Sequence, residues 1–396
     1  MTRIIITAGK GGVGKSTVAA ATAVACAERG ARVLVMSVDS AHNLSDVFTL
    51  PLGACPTPIE GRLSGMEVDI NHELSANWRA VTDFFRTMTA NNPRVTELVA
   101  EECAVLPGME EVFGLMRLQT LVESGEFDVV VVDAPPTADM LKLLRLPDVL
   151  HWFMQKYLPL ERGMLQRVRP LAEALNWPLP EEEVVIELEH WYARVQAASR
   201  TLTDTRRVSV RLVMTPDAVA LAETRRAWSW TSLLGMNVDA VIVNKLIAAS
   251  PRDEDTLLGR WRERQQEVLR ELEGSFADLP TLLAALREEE VLGLPALREL
   301  GRELFGDRDP AGLWSPEPPL MWEELGEEAE LRLRIPFLKK GSFRLLAGRD
   351  GLSLLVGTQR RVIPLPPSVR RRRMLGANYE DGWLKVRYSP APHMEG

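Results

Sequence analysis

Residues 9–16 read Gly-Lys-Gly-Gly-Val-Gly-Lys-Ser and follow the apolar run Ile4-Ile5-Ile6. A G-x-x-x-x-G-K-[ST] spacing between a buried strand and a helix is chemistry for holding phosphate. Glycines permit tight turns and leave backbone N–H groups facing phosphate oxygens, so Gly11, Gly12, Val13 and Gly14 form the cradle. Lys15 is placed to reach the β- and γ-phosphates of ATP, and the Ser16 hydroxyl to ligate Mg²⁺. The helix entered at Thr17 points its positive dipole end at the same anion. Two carboxylates extend the set. Asp39 ends the second apolar run and opens a stretch of small residues reaching Asp46. A carboxylate there can orient an attacking water, and the loop behind it can move when the γ-phosphate leaves. Asp133 follows four valines, the usual place for an acid that holds Mg²⁺ through water. A helix N-cap is the alternative role for either aspartate.

The elements that must position these groups are β-type runs separated by helical segments: Arg3–Thr7, Arg32–Ser37, Gly65–Ile70, Asp128–Val132, Val208–Met214 and Asp239–Asn244. Short apolar runs alternating with helices predict an α/β fold, a doubly wound parallel sheet covered on both faces. Ligands of such sheets bind at the carboxyl ends of the strands. Gly9–Ser16, Asp39, Asp133, Thr215-Pro216 and Asn244 all fall there. The ATPase-type domain is predicted over 1–306, with helical insertions at about 72–125 and 144–206. Leu74, Trp78, Val81, Phe85 and Met88 keep helical spacing, as do Met109, Val112, Phe113 and Met116. Trp152 to Leu165 carries more large apolar groups than one amphipathic face needs. It reads either as a packed helical layer or as a groove for an apolar partner, with Met supplying adaptable contacts.

Residues 307–328 are rich in Pro, Gly and acid and read as a linker. Beyond it, alternating runs at Leu331–Ile335, Phe343–Leu346, Leu352–Val356, Arg360–Ile363 and Trp383–Tyr388 predict a small C-terminal all-β sandwich over 329–390. Arg349-Asp350-Gly351 and Glu380-Asp381-Gly382 are hairpin turn signals.

The 396 residues carry a net charge of −8, which argues against nucleic acid as the main partner. Three widely spaced cysteines, Cys26, Cys55 and Cys103, give no disulfide framework and suit a reducing cytoplasm. The early strand leaves no room for a signal peptide, and no apolar stretch approaches 18 residues. A cytoplasmic location is the expectation, with at most peripheral membrane contact through a receptor or client.

Six motifs occur in the order seen in the arsenite-pump (ArsA-type) and tail-anchored-protein-targeting ATPases, which residues 1–305 resemble. They are Gly9–Ser16, Asp39–Asp46, Leu106–Glu111, Asp133–Thr137, Thr215-Pro216-Asp217 with Glu223-Thr224, and Val243-Asn244. The resemblance implies that Asp39 positions the water and that Asn244 reads the adenine edge, with Pro216 near the nucleotide. It also implies that Lys10, as in the deviant class of these loops, stabilises phosphate charge across a homodimer interface. A solvated surface lysine is the alternative. The segments Asp39–Asp46 and Asp133–Asp139 would be switches, and the dimer would close on ATP and open on hydrolysis around hydrophobic client segments. Gly376–Leu384 resembles the A-x-x-x-x-G-x-L ending of α-crystallin domains, which would bury Ala377 and Leu384.

The chain also departs from those families. The zinc-binding C-x-x-C of the eukaryotic targeting ATPases is replaced by Lys245-Leu-Ile-Ala-Ala-Ser-Pro251, so any dimer needs other contacts. Ala138-Asp139 stands where relatives often carry Gly followed by His or Glu, and Ala285-Leu286 where Pro-Leu is frequent. The arsenite pumps use a cysteine triad on tandem halves, whereas only Cys103 lies in a comparable segment of this single half. Three readings follow: a targeting ATPase or chaperone, an arsenite or anion-pump ATPase subunit, and a non-hydrolysing scaffold.

Overall fold

β1 (Arg3–Gly9) and β5 (Val129–Asp133) are apolar at consecutive positions, and apart from half-buried Arg3 every residue in them is buried. Such strands fit only a sheet covered on both faces. The computed structural model describes residues 1–39, 43–69, 109–135, 182–248, 256–315, 317–339, 341–348, 351–357 and 359–390. The remaining strands of the main sheet are β2 (Val33–Ser37), β3 (Thr57–Glu60), β4 (Leu63–Glu67), β6 (Val208–Met214), β7 (Val238–Leu246) and β8 (Thr281–Ala285). The order is β3-β4-β2-β5-β1-β6-β7-β8. Every neighbouring pair is parallel except β3 with β4. The chain leaves β1 toward β2 on one side and later adds β6, β7 and β8 on the other. The resulting crevice lies at the carboxyl end of β1.

The described helices are α1 (Lys15–Glu28), α2 (Asn43–Phe48), α3 (Met109–Ser124), α4 (Glu182–Leu202), α5 (Ala218–Leu233), α6 (Leu257–Ser275) and α7 (Gly293–Phe305). On one face α1 packs with α7, whose Leu297, Leu300, Leu304 and Phe305 share its core. Alanines on α1 admit this approach. A Cβ on Gly301 would lie 3.1 Å from the Ala21 carbonyl and 3.3 Å from Ala25 Cβ. The other face is covered by α3, α5 and α6 through Leu115, Leu118, Leu221, Trp228, Leu272 and Phe276.

The doubly wound sheet is therefore present, with differences in detail. β4 spans Leu63–Glu67 rather than Gly65–Ile70, and β3 and β8 were not anticipated. The described parts of the two insertions, α3 and α4, are helical. Leu74–Met88, Cys103 and the apolar run Trp152–Leu165 lie outside the described residues.

The C-terminal strands are β9 (Leu320–Leu325), β10 (Glu328–Arg334), β11 (Phe343–Ala347), β12 (Gly351–Val356), β13 (Gln359–Pro364), β14 (Met374–Glu380) and β15 (Trp383–Tyr388). They form antiparallel sheets β14-β15-β10-β9 and β11-β12-β13 around Leu331, Leu333, Leu352, Leu354, Ile363, Leu384 and Val386. Glu380 and Trp383 are register partners across a two-residue turn. Asp381 (φ 50°) and Gly382 (φ 79°) both take the positive φ of a type I′ hairpin.

Two expectations are corrected here. Residues 307–328 are not simply a linker. Leu320–Leu325 pairs with β10, because Leu320 and Trp322 pack against the sandwich core while Glu324 and Leu325 face solvent. Residues 311–315 dock at the amino ends of the strands. Arg3 donates to the Ala311 and Gly312 carbonyls, Arg211 to the Gly312 carbonyl, and Asn237 to that of Ser315. Arg211 itself is fully buried between Asp239 and the Trp314 ring, 3.9 Å from the ring centroid. The second correction concerns Ala377. Leu384 is fully buried as expected, but Ala377 is exposed on the edge strand β14 after a register shift between Met374 and Gly376.

The sandwich is seated on α5. Leu233 of that helix joins the sandwich core. Trp228, Phe276 and Phe337 form an aromatic cluster with centroids 5.1–5.8 Å apart. Arg334 lies over Trp228 and pairs with Asp278 at 2.6 Å. No helix among the described residues is long and apolar enough to cross a membrane.

Candidate functional site

The loop between β1 and α1 takes its shape from its glycines. Gly12 (φ 82°) and Gly14 (φ 91°) are left-handed, a conformation that side chains resist. Gly9 is equally fixed by space. A Cβ there would fall within 3.0 Å of the Val213 carbonyl oxygen on β6. No side chain caps α1 and no acid occupies its first turn. Its N-terminal N–H groups are thus left for an anion.

Of the loop residues, Lys15 is buried at 7% exposure, Val13 is buried at 2%, Ser16 and Thr17 are half-buried, and Lys10, Gly11 and Gly12 are exposed. A cavity of about 550 Å³ opens beside the loop. Its wall includes Gly12, Gly14, Lys15, Ser16, Thr17 and Asn244. The size suits a nucleotide-sized ligand. Gly11, Val13 and Pro216 do not line it. Val13 points into the core, and Pro216 is buried just before α5.

β7 locks the loop from the side. Asn244 Nδ2 donates to the Val13 carbonyl at 3.0 Å, while its Oδ1 accepts from Lys245 N at 2.9 Å. In this structure the Asn244 amide is thus spent on the loop. Lys245, at φ 61°, turns its ammonium onto the Gly12 carbonyl at 2.9 Å. Across the cavity, Leu286 N donates to the Leu246 carbonyl and Ala285 N to Glu303. Arg287 is held by Glu299 and Glu303.

Asp133, which like Asp39 does not line that cavity, ends β5. It is fully buried, and neither carboxylate oxygen has a hydrogen-bond partner among the described residues. Burial pushes its pKa from 3.8 up to about 6, with Asp39 and Glu67 adding to the rise and the Ser16 hydroxyl and Lys15 opposing it. An orphaned buried carboxylate beside a hydroxyl is an oxygen donor set of the kind that hard divalent cations take. Ser16 and Asp133 therefore fit Mg²⁺. The Asp133 carbonyl accepts from Val38 N at 3.0 Å, tying the ends of β5 and β2 together. Asp39, half-buried, follows directly, its N–H on Ser37 Oγ at 3.2 Å. Val38 is also met from outside the sheet, since a Cβ on Gly114 of α3 would fall within 3.0 Å of Val38 Cγ1. Residues 40–42 and 136–139 of the expected switches lie outside the described residues.

Three groups at the site were not anticipated. Glu67 ends β4 and accepts from Ser45 N at 2.9 Å and Ser45 Oγ at 2.8 Å, anchoring α2. The strand-end rule that found Asp39 and Asp133 would have found it had β4 been placed in register. Lys245 and the Arg287–Glu303 pair have no local sequence signal, because their partners are more than ten residues away. The thiols offer no soft-metal site among the described residues. Cys26 is buried and its thiol is pushed up to about 12 by burial, and Cys55 is exposed.

Comparison with known proteins agrees with this geometry. The family model described as "Anion-transporting ATPase" matches residues 2–306, and one described as "HSP20-like domain found in ArsA" matches 326–388. A Chlorobaculum tepidum protein that carries the name of an arsenical pump-driving ATPase is 35% identical over 392 residues, spanning 97% of this chain and 95% of that one. An Aquifex aeolicus protein of similar name is 34% identical over 377 residues, 93% of this chain and 95% of its own. A Trypanosoma cruzi "ATPase ASNA1 homolog" is 27% identical over 328 residues, 77% of this chain and 91% of its own.

Proposed function

The chain belongs to the anion-transporting ATPase family, and from that premise we propose that it is a cytoplasmic Mg²⁺-dependent ATPase that captures and releases hydrophobic segments. In this reading two copies close on ATP and open after hydrolysis, and the clients are transmembrane-helix-like. The observation that carries the ATPase part is Asp133, orphaned and buried under a phosphate loop with Lys15 beside it. Ser16 and Asp133 would hold Mg²⁺, which when bound supplies charge neutralisation at the β- and γ-phosphates. Lys15 binds those phosphates, the N–H groups of the loop and α1 orient them, and Asp39 aligns the attacking water. Lys10, exposed in the loop, is free to reach a partner's phosphates. Asn244 and Lys245 hold the loop rigid.

The client part is supported by the named likeness to the ASNA1 homolog. The experiment measures phosphate release with and without Mg²⁺, and capture of a transmembrane-helix peptide with ATP and with ADP. Lys15→Ala should abolish nucleotide binding. Asp39→Asn should retain ATP and lose turnover by a factor on the order of 10². Turnover by Asp39→Asn near the wild-type rate would remove its assigned role. Equal peptide capture in both nucleotide states would remove the targeting reading. The names of the bacterial relatives favour a second reading, an anion-pump subunit, which predicts turnover stimulated by arsenite.

A further inference from the structure

The chain as a whole is acidic, yet residues 339–373 contain ten Lys and Arg against the single acid Asp350. Its described residues include the sheet β11-β12-β13. One face of that sheet packs on the sandwich core through Leu345, Leu352, Leu354 and Ile363. The register defines the opposite face. One row across the three strands is Leu346, Ser353 and Val362, and the next is Arg344, Leu355 and Arg360. Leu346 is 58% exposed and Val362 47%, unusual for aliphatics on a sheet face. Arg344 and Arg360 are exposed, and neither makes an ion pair with a described residue. Arg360 reaches only Ser353 Oγ, at 3.0 Å.

The chain then leaves β13 for Arg370-Arg371-Arg372-Arg373. Arg370 and Arg372 bond backbone carbonyls of Leu365, Ser368 and Glu327, which hold the loop without neutralising it.

We propose that the outer face of β11-β12-β13 docks on an anionic phospholipid surface. Aliphatic groups between arginines match the boundary between acyl chains and headgroups, where apolar tips insert and guanidinium groups meet phosphates. A surface reading nucleic acid would carry aromatic stackers or base-reading amides, and this face has neither. The acidic remainder of the chain is repelled by the same membrane, so electrostatics also orients the molecule with this sheet inward. The proposal goes beyond the ATPase reading and does not depend on it, because binding is measured without nucleotide.

The test is flotation of the full-length protein with vesicles of phosphatidylcholine alone and with 30% phosphatidylserine, at ~50 and ~300 mM salt. Binding should require phosphatidylserine and weaken at high salt. Arg344→Gln with Arg360→Gln should lower affinity about 25-fold, near fivefold for each cation. Leu346→Ser with Val362→Ser should lower it at both salt concentrations. All four positions are exposed and outside the nucleotide site, so melting temperature and ATP turnover should not change. Equal binding to neutral vesicles, or variants that bind like wild type, overturns the proposal. A duplex DNA or RNA that binds more tightly than the vesicles, and whose binding the same variants lose, also overturns it and assigns the face to nucleic acid.

Discussion

Asp133 should make the ligand-free protein less stable as pH rises, and its removal should abolish that dependence. The carboxyl is fully buried with no hydrogen-bond partner among the described residues, and burial, opposed by the Ser16 hydroxyl and Lys15, lifts its pKa from 3.8 to about 6. Below pH 3.8 it is protonated whether the chain is folded or not. Between the two values the unfolded chain ionises while the folded one keeps its proton, so stability falls with pH. Above about pH 6 the loss is complete. The interval corresponds to about 3 kcal/mol in total. Roughly 2 kcal/mol of it falls between pH 4.5 and 7.5. Asp133→Asn has the same shape and cannot ionise. The free energy of wild type minus that of the variant should therefore decline by about 2 kcal/mol over this range. Taking the difference removes the fixed cost of burying an amide. The assay is urea denaturation of the Mg²⁺- and nucleotide-free protein at several pH values. Parallel curves for the two proteins would refute the reasoning, since the carboxylate would then be paired or hydrated.

Two further outcomes follow from packing. Gly114→Ala should cost about 1–3 kcal/mol by forcing a methyl against Val38 and should slow turnover by displacing adjacent Asp39. Val38→Ala in the same molecule should recover part of both losses, and strictly additive effects in a double-mutant cycle would contradict this. Trp314→Ala should destabilise by about 3 kcal/mol, because it strips the ring from a fully buried guanidinium; a melting curve matching wild type would show that the 311–315 segment contributes no stability.

The parts of the fold legible in the sequence are those whose signal is local. Gly9–Ser16 announces itself because backbone conformation, charge and the flanking strand are all written within a dozen residues. Asp39 and Asp133 could be found because a carboxylate closing an all-apolar run is costly to bury unless a cation or a donor meets it there. β3 and β8 escaped because they are four- and five-residue edge strands with alternating exposure. β9 escaped because Pro and Glu dominate its neighbourhood, although its Leu320 and Trp322 do the packing. Ala377 was misplaced by a register shift on an edge strand, which no spacing rule anticipates. Asn244 stood out at a strand end, but its grip on Val13 depends on a contact 231 residues away in sequence. The Lys245 contact with Gly12 is equally remote.

α5 joins the two halves of the molecule as a rod. Its first turn is capped by Asp217, which accepts from Ala220 N at 2.9 Å and from Thr215 Oγ1 at 2.6 Å, directly after β6. Its last residue, Leu233, is part of the sandwich core. Sixteen residues span roughly 24 Å. A pivot of about 5° at the Asp217 end would swing the far end by roughly 2 Å over that length. The sandwich, gripped by Leu233 and the Trp228–Phe337 stack, must travel with it. A tilt of α5 about the end of β6 would therefore carry the basic sheet with it.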